Sequence, residues 1–272
     1  MQIQYRTPQL TVFESALYRT TSTVFANEDL ILVVDPNWLP DEVLSIRQYV
    51  DQIRAGQPLY LLFTHSDYDH ILGYDLFRDA KVIASKAFAK NPAKAQEVSQ
   101  VLAFDDKHYI HRPYTVEYPS VDITIASDGE KIEVGGTTLS FQLAPGHNPD
   151  GLIAYIEPAS IWIVGDYLSN VEFPFIYYQT TAYIQTLQKA RYHLQHKQPR
   201  VLISGHGDIA LDRQEMERRI QESLLYIEEL VAAAKGKRTF DLAPWLARYP
   251  FPKGLVASHE ANLELAKLEQ NP

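Results

Sequence analysis

The chain has 272 residues, 46% of them hydrophobic and 22% charged, with a formal net charge of −9. That composition is ordinary for a soluble globular protein with a substantial core, and the acidic balance argues against a nucleic-acid binder that works by broad phosphate neutralisation. No cysteine is present, so disulfides, thiolate ligands and a cysteine nucleophile are excluded, and any metal must be held by imidazole and carboxylate.

Residues 1–10 are polar and carry no signal-type apolar core, and no apolar stretch reaches bilayer-spanning length. The expectation is a cytoplasmic protein without membrane or nucleic-acid partners, acting on a small molecule. A homodimer is possible.

Residues 10–18 and 23–26 are β-leaning, and 30–34 is a continuous branched-apolar run ending at the turn signal Asp35-Pro36. Pro40 followed by Asp41 and Glu42 opens a helix, since proline suits a first turn and acids complement the dipole there. That helix is expected to reach Arg54. A buried strand at 59–63 leads into the polar segment 64–70. Ile71, Leu72, Leu76 and Phe77 then fall at helical spacing, which predicts a helix starting at the polar cluster. Another strand is expected at 81–84. Residues 91–119, with scattered aromatics and prolines, read as an irregular excursion that forms either a lid or a surface loop.

Strands are predicted at 121–125, 131–134, 137–143, 152–156 and 161–164, with Asp128-Gly129 and Gly135-Gly136 as hairpin turns. A helix at 181–196 and a strand at 201–204 follow. From about residue 208 the chain becomes mainly helical. Asp212 suits an N-cap, and Met216, Ile220, Leu224, Ile227 and Val231 form a stripe ending near Gly236. Two more helices are expected in the last forty residues. Without repeats or a low-complexity linker, the whole chain reads as one domain. Two β-rich halves flanked by helices suggest an α/β protein built as a layered αββα sandwich.

The chemistry concentrates in residues 64–70, where His65, Asp67, Asp69 and His70 place four metal-capable side chains directly after a buried strand. Alternate side chains of an extended loop point the same way. His65 and Asp67 can therefore share one point, while Asp69 and His70 turn toward another. A bland alternative is that Asp69 caps a helix and His65 is a polar strand-end residue. Three later positions tip the balance: His147, Asp166 and His206 each follow an apolar strand in a glycine-containing turn. Loops at strand ends are where catalytic groups usually sit.

This ordered set resembles the metallo-β-lactamase superfamily, whose signature is H-x-H-x-D-H followed by separate His, Asp and His positions. The resemblance covers most of the chain, including the 33–35 run, and implies the superfamily's four-layer αββα sandwich. It implies that His65, Asp67 and His147 hold one metal, that Asp69, His70 and His206 hold a second, and that Asp166 bridges them. Gly146-His147-Asn148-Pro149 resembles the family's G-H-T-P turn, with Asn148 in place of threonine. Asp67 stands where the signature has its second histidine, a variant that also resembles the DNA-uptake branch.

The substitution has a physical consequence. Two divalent ions and a bridging hydroxide leave one positive charge after Asp69 and Asp166, and none once Asp67 is added. Such a cluster is a weaker electrophile, and its harder first position shifts preference toward manganese or iron, although zinc remains the first expectation.

The function implied is a metallo-hydrolase. A hydroxide between two metals about 3.5–4 Å apart would attack an ester, thioester, lactone or phosphodiester, with Asp69 and Asp166 anchoring the metals and orienting it. Iron-dependent redox chemistry on oxygen, nitric oxide or persulfides is the alternative that the resemblance also allows. A non-catalytic scaffold is the third. A nuclease is disfavoured by the absent basic stripe. Tyr68 either contacts substrate or packs. The aromatic run 173–178 either walls a pocket or belongs to a core or subunit contact. His108, His111, His193, His196 and His259 lack strand-end contexts and are read as solvated, despite helical metal-type spacing in the 193/196 pair.

Overall fold

The computed structural model describes residues 1–270. Seven strands form one sheet in sequential order: β1 (Gln2–Arg6), β2 (Leu10–Glu14), β3 (Thr21–Ala26), β4 (Ile31–Val34), β5 (Leu59–Leu62), β6 (Lys81–Ser85) and β7 (Ile123–Ile125). The first four run antiparallel, and β4 to β7 run parallel to their neighbours. A second sheet has the order β12-β11-β10-β9-β8, built from β8 (Lys131–Val134), β9 (Thr137–Leu143), β10 (Leu152–Glu157), β11 (Ile161–Ile163) and β12 (Val201–Ile203). Only its β11–β12 pair is parallel.

Helices α1 (Pro40–Ile53), α2 (Lys86–Ala89) and α3 (Lys94–His108) accompany the first half, and α4 (Thr180–Lys197), α5 (Arg213–Ala234), α6 (Ala243–Leu246) and α7 (Leu255–Leu268) the second. The helix stripes and strand alternation explain the layering. One core joins the inner faces of both sheets through residues such as Val12, Leu32, Leu62, Phe141, Ala154 and Ile203. A second core packs Ile46, Val50 and Phe77 against the outer face of the large sheet. A third packs Leu187, Ile220 and Leu230 against the outer face of the small sheet, around Tyr155 and Trp162. Helix, sheet, sheet and helix are thus the four layers expected from the sequence. Among the described residues no helix is long and apolar enough to cross a membrane.

Two local expectations fail. Residues 91–119 are not irregular throughout, because 94–108 form the fifteen-residue α3. This segment lacks glycine and proline, and the prolines that suggested a loop flank it at Pro92 and Pro113. Its apolar stripe is faint, since only Val101 and Asp105 are buried, so helical periodicity barely registers. Conversely, no α-helix begins at Asp69. The chain makes turns up to a short 3₁₀ helix at Tyr74–Phe77, because His70, Ile71 and Leu72 are all turned inward and fully buried.

Candidate metal centre

The C-terminal ends of β4, β5, β9, β11 and β12 meet on one rim of the sandwich, where backbone bonds tie the two sheets together. The Leu152 N–H donates to Thr64 O at 2.7 Å, and the Thr21 N–H donates to Gly205 O at 2.7 Å. His65, Asp67, Asp69 and His70 follow β5, His147 follows β9, Asp166 follows β11 and His206 follows β12. Gly205 allows the close approach required, since a Cβ there would fall on Asp166 Oδ1 and crowd the His70 ring. Gly146 has φ +140°, and a Cβ there would strike the Tyr183 backbone of α4.

All four imidazoles are held by Nδ1 and present Nε2 to the centre. His147 Nδ1–H donates to Phe175 O at 2.8 Å, and His206 Nδ1–H donates to Tyr18 O at 3.0 Å. A carbonyl only accepts, so these bonds fix the tautomer. His70 Nδ1 lies 3.0 Å from Asp35 Oδ2. The Thr64 hydroxyl donates to that same carboxylate at 2.5 Å, which leaves its oxygen to accept from His65 Nδ1–H at 3.0 Å. Asp35 also accepts from the Thr64 backbone N–H at 3.0 Å. This outer ring of acceptors is what orients imidazoles in metal sites.

The inward-facing atoms form two groups within 4.8 Å: His65, Asp67, His147 and Asp166, and then Asp69, His70 and His206. His147 Nε2 lies 3.0 Å from Asp67 Oδ2, and His65 Nε2 lies 3.5 Å from it. Asp166 sits between the groups, with Oδ1 3.2 Å from His70 Nε2 and Oδ2 3.2 Å from His206 Nε2. Oδ2 is also 3.6 Å from His65 Nε2 and 3.5 Å from His147 Nε2. Asp69 Oδ2 is 3.9 Å from His70 Nε2 and 3.7 Å from His206 Nε2. The Nε2 atoms of His65 and His70 and the Asp166 Oδ1 atom are buried without a hydrogen-bond partner. Buried polar atoms left without partners are costly, and here they converge on two points that divalent ions would satisfy.

Electrostatics follow from burial and mutual proximity. Burial opposes charge on His147, but the facing Asp67 outweighs it and raises the imidazole to about 9. Burial likewise opposes charge on His206, and Asp166 with Glu172 raises it to about 10. Asp166 resists its own burial and falls well below the usual carboxylate range because His206, His70 and His65 surround it. A cation among these atoms would displace the imidazole protons.

Asp67 and Asn148, the two departures from the family pattern, touch each other. The Asn148 amide donates to Asp67 Oδ1, leaving Oδ2 to face His147. Tyr68 does both of the things its position allowed: it packs edge-on against Trp38 and lines the cleft.

The cleft above the centre has a volume of about 860 Å³. Tyr68, Phe175, Tyr177 and Phe251 supply apolar surface, and Gln96, Gln100 and Asn148 supply amides. Its wall includes α3, so part of the 91–119 stretch does border the cleft. The aromatic run 173–178 divides its roles. Phe173 and Ile176 are core residues, while Phe175 and Tyr177 face the cleft. Asn262 of α7 holds this run in place: its Oδ1 accepts from Ile176 N–H at 2.8 Å, and its amide donates to Pro174 O at 2.7 Å and to Tyr226 Oη at 3.0 Å.

All seven residues singled out in the sequence meet at this rim. Two histidines read as solvated are instead buried. His193 stacks on Trp162 at 4.9 Å, and His259 Nδ1 lies 3.0 Å from Tyr226 Oη. Sequence reasoning missed Glu172, which forms a further group with Asp166 and His206 within 4.8 Å. Burial raises its carboxyl to about 7. The available signal was a lone acid inside an apolar run, six residues after Asp166. Missed too was Asp35, whose place at a strand end was noted without its role against His70.

A two-sheet sandwich whose strand ends gather imidazoles and carboxylates around shared points defines a class of αββα protein with side chains placed so that they could hold metal. The sequence profile of the Metallo-beta-lactamase superfamily matches residues 17–210, and the chain belongs to that superfamily, which includes metal-dependent hydrolases. No curated protein matches the chain. Among solved structures, it is similar to a stereoselective inverting sec-alkylsulfatase from Pseudomonas sp., with 14% identity and a TM-score of 0.70, covering 98% of this chain. The chain spans 50% of that sulfatase's length. It is also similar to a metallo-beta-lactamase family protein from Thermus thermophilus, at 18% identity and TM-score 0.64, covering 97% of this chain and 94% of the other. A superfamily protein from Sulfolobus tokodaii gives 17% identity and TM-score 0.58, covering 98% and 100% respectively. At these identities the likeness is one of fold.

Proposed function

We propose that this protein is a metal-dependent hydrolase that cleaves a small, uncharged ester, thioester or lactone. In this reading His65, Asp67 and His147 hold one divalent ion, Asp69, His70 and His206 hold a second, and Asp166 is shared. The observation that carries it is the set of four imidazoles locked through Nδ1, with Nε2 atoms and a shared carboxylate converging on two points. Ions bound there would activate a water for attack and neutralise charge on the carbonyl oxygen.

The chain's own residues do the rest. Asp35, Thr64, Phe175 and Tyr18 fix the imidazoles, and Asp166 spans the two positions. The aromatic wall offers apolar surface to the acyl or alcohol part of the substrate. Charge on the wall favours a neutral substrate over a phosphodiester. Arg19 is the one arginine or lysine lining the cleft among the described residues, and its guanidinium is already paired with Glu14, at 2.8 Å, and with Asp208.

The test is metal analysis of protein purified without added metal, followed by assays with 4-nitrophenyl acyl esters, aryl lactones and bis(4-nitrophenyl) phosphate. The reading expects about two equivalents of zinc, manganese or iron, lost on His147→Ala or Asp166→Ala, and turnover of the carbonyl substrates only. Absence of stoichiometric metal even after reconstitution would overturn it. Iron with oxygen consumption would replace it by the redox alternative.

A further inference from the structure

Two acids on the cleft wall, Glu97 and Glu172, are used by neither the family pattern nor the reading above, and of these Glu172 is the one grouped with residues of the centre. It lies on the loop joining β11 to α4, flanked by Val171 and Phe173, and it is half-buried. Among the described residues it makes no hydrogen bond or ion pair. A carboxylate in such a setting is unfavourable without a positive partner, and glutamine would fill the space at lower cost.

Its position is also enforced. Asn170, two residues earlier, exchanges hydrogen bonds with Asp208: its amide donates to Oδ2 at 2.9 Å, and its Oδ1 accepts the Asp208 N–H at 2.8 Å. Gly207, at φ +87°, leaves room for this contact, since a Cβ there would strike Asn170 and crowd Val171. The loop is thereby clamped against the turn that follows His206, and the Glu172 carboxylate is delivered within 4.8 Å of both His206 and Asp166. His70 Nε2 and Asp166 Oδ1, both buried without hydrogen-bond partners, lie 3.2 Å apart beside that group.

We propose that Glu172 is a carboxylate ligand of the second metal position, beside Asp69, His70, His206 and the shared Asp166. The proposal rests on the two-metal reading above. It gives that position five protein donors where the first has four, and it makes it the more oxygen-rich of the two, which favours a hard ion such as manganese or iron there. The four carboxylates Asp67, Asp69, Asp166 and Glu172 then match the four positive charges of two divalent ions, and a bridging hydroxide leaves one net negative charge. Such a centre offers little attraction to an anion, in keeping with an uncharged substrate.

The experiment compares the metal-loaded wild-type protein with Glu172→Gln and Glu172→Asp. Chelator competition measures the affinity of each equivalent, and the visible spectrum of cobalt-substituted protein reports the ligand field. Melting of the chelated proteins controls for folding. The expected result is that Glu172→Gln weakens one equivalent by about tenfold or more while sparing the other. One set of cobalt bands should shift, and Glu172→Asp should recover part of the loss. Two equivalents held by Glu172→Gln with wild-type affinities and a superimposable cobalt spectrum would overturn the ligand assignment alone. Failure of the wild-type protein to hold metal would overturn the two-metal reading and this inference with it.

Discussion

Asp35→Asn changes one atom and removes no volume, yet it should cost both stability and metal. Asp35 is 3% exposed and accepts three hydrogen bonds, from the Thr64 N–H, the Thr64 hydroxyl and His70 Nδ1–H. An asparagine can keep the first by placing its amide oxygen where Oδ1 lies. Its NH₂ then confronts two donors. Bonds to a charged acceptor contribute about 1.5–3 kcal/mol each, so losing two costs about 3–6 kcal/mol. In a chain of this size that is a fall in Tm of about 6–24 °C. His70 can escape by moving its proton to Nε2 and accepting through Nδ1. That tautomer presents an N–H where a lone pair is required, so metal affinity should fall about 10–100-fold. Thermal melting of the chelated protein and chelator competition on the loaded one measure the two effects separately. Unchanged melting together with unchanged affinity would refute the claim that Asp35 sets the His70 tautomer.

Gly205→Ala places a methyl group on Asp166 Oδ1 at an unstrained backbone position. It should reduce bound metal by at least one equivalent with little change in far-ultraviolet circular dichroism, and full metal content would contradict the packing argument. In chelated protein, His147 and His206 titrate near 9 and 10, above the ordinary value of about 6.5. Groups with raised pKa values stabilise the fold fully below about 6.5 and lose that contribution as pH climbs through their folded values. Melting of the chelated protein should therefore fall between pH 7 and 10, whereas metal affinity should rise over the same interval as protons cease to compete. A flat melting profile would count against both. Asn262→Ala leaves the Ile176 N–H and Pro174 O without their partner, and should cost about 2–3 kcal/mol by denaturant unfolding; a loss below half that would show the loop is held by other means.

The centre was legible because its chemistry is local to strand ends. His65 to His70, Asp166 and His206 each follow a run of apolar residues, and His147 follows the alternating strand β9, patterns that need no tertiary information. The strands were legible for the same reason, with boundaries within a residue or two at β4, β5, β9 and β12. What stayed hidden depends on which faces become covered. Helix α3 buries so little that its periodicity is faint, and His193 looks polar until Trp162 and Tyr155 enclose it. Glu172 is brought to His206 by the Asn170–Asp208 clamp, a contact 38 residues apart. The pairing of Asp67 with Asn148 spans 81 residues, although both departures were visible in the sequence one at a time.

The superfamily match ends at residue 210, but the architecture that serves His147 does not. Its Nδ1 rests on Phe175 O, Phe175 lies between the two residues that Asn262 grips, and Asn262 belongs to the last helix. A protein cut at the match boundary would keep every one of the seven side chains at the centre and lose the brace behind one of them. A substitution in the final sixty residues can therefore loosen the seat of His147 without touching any of the seven side chains.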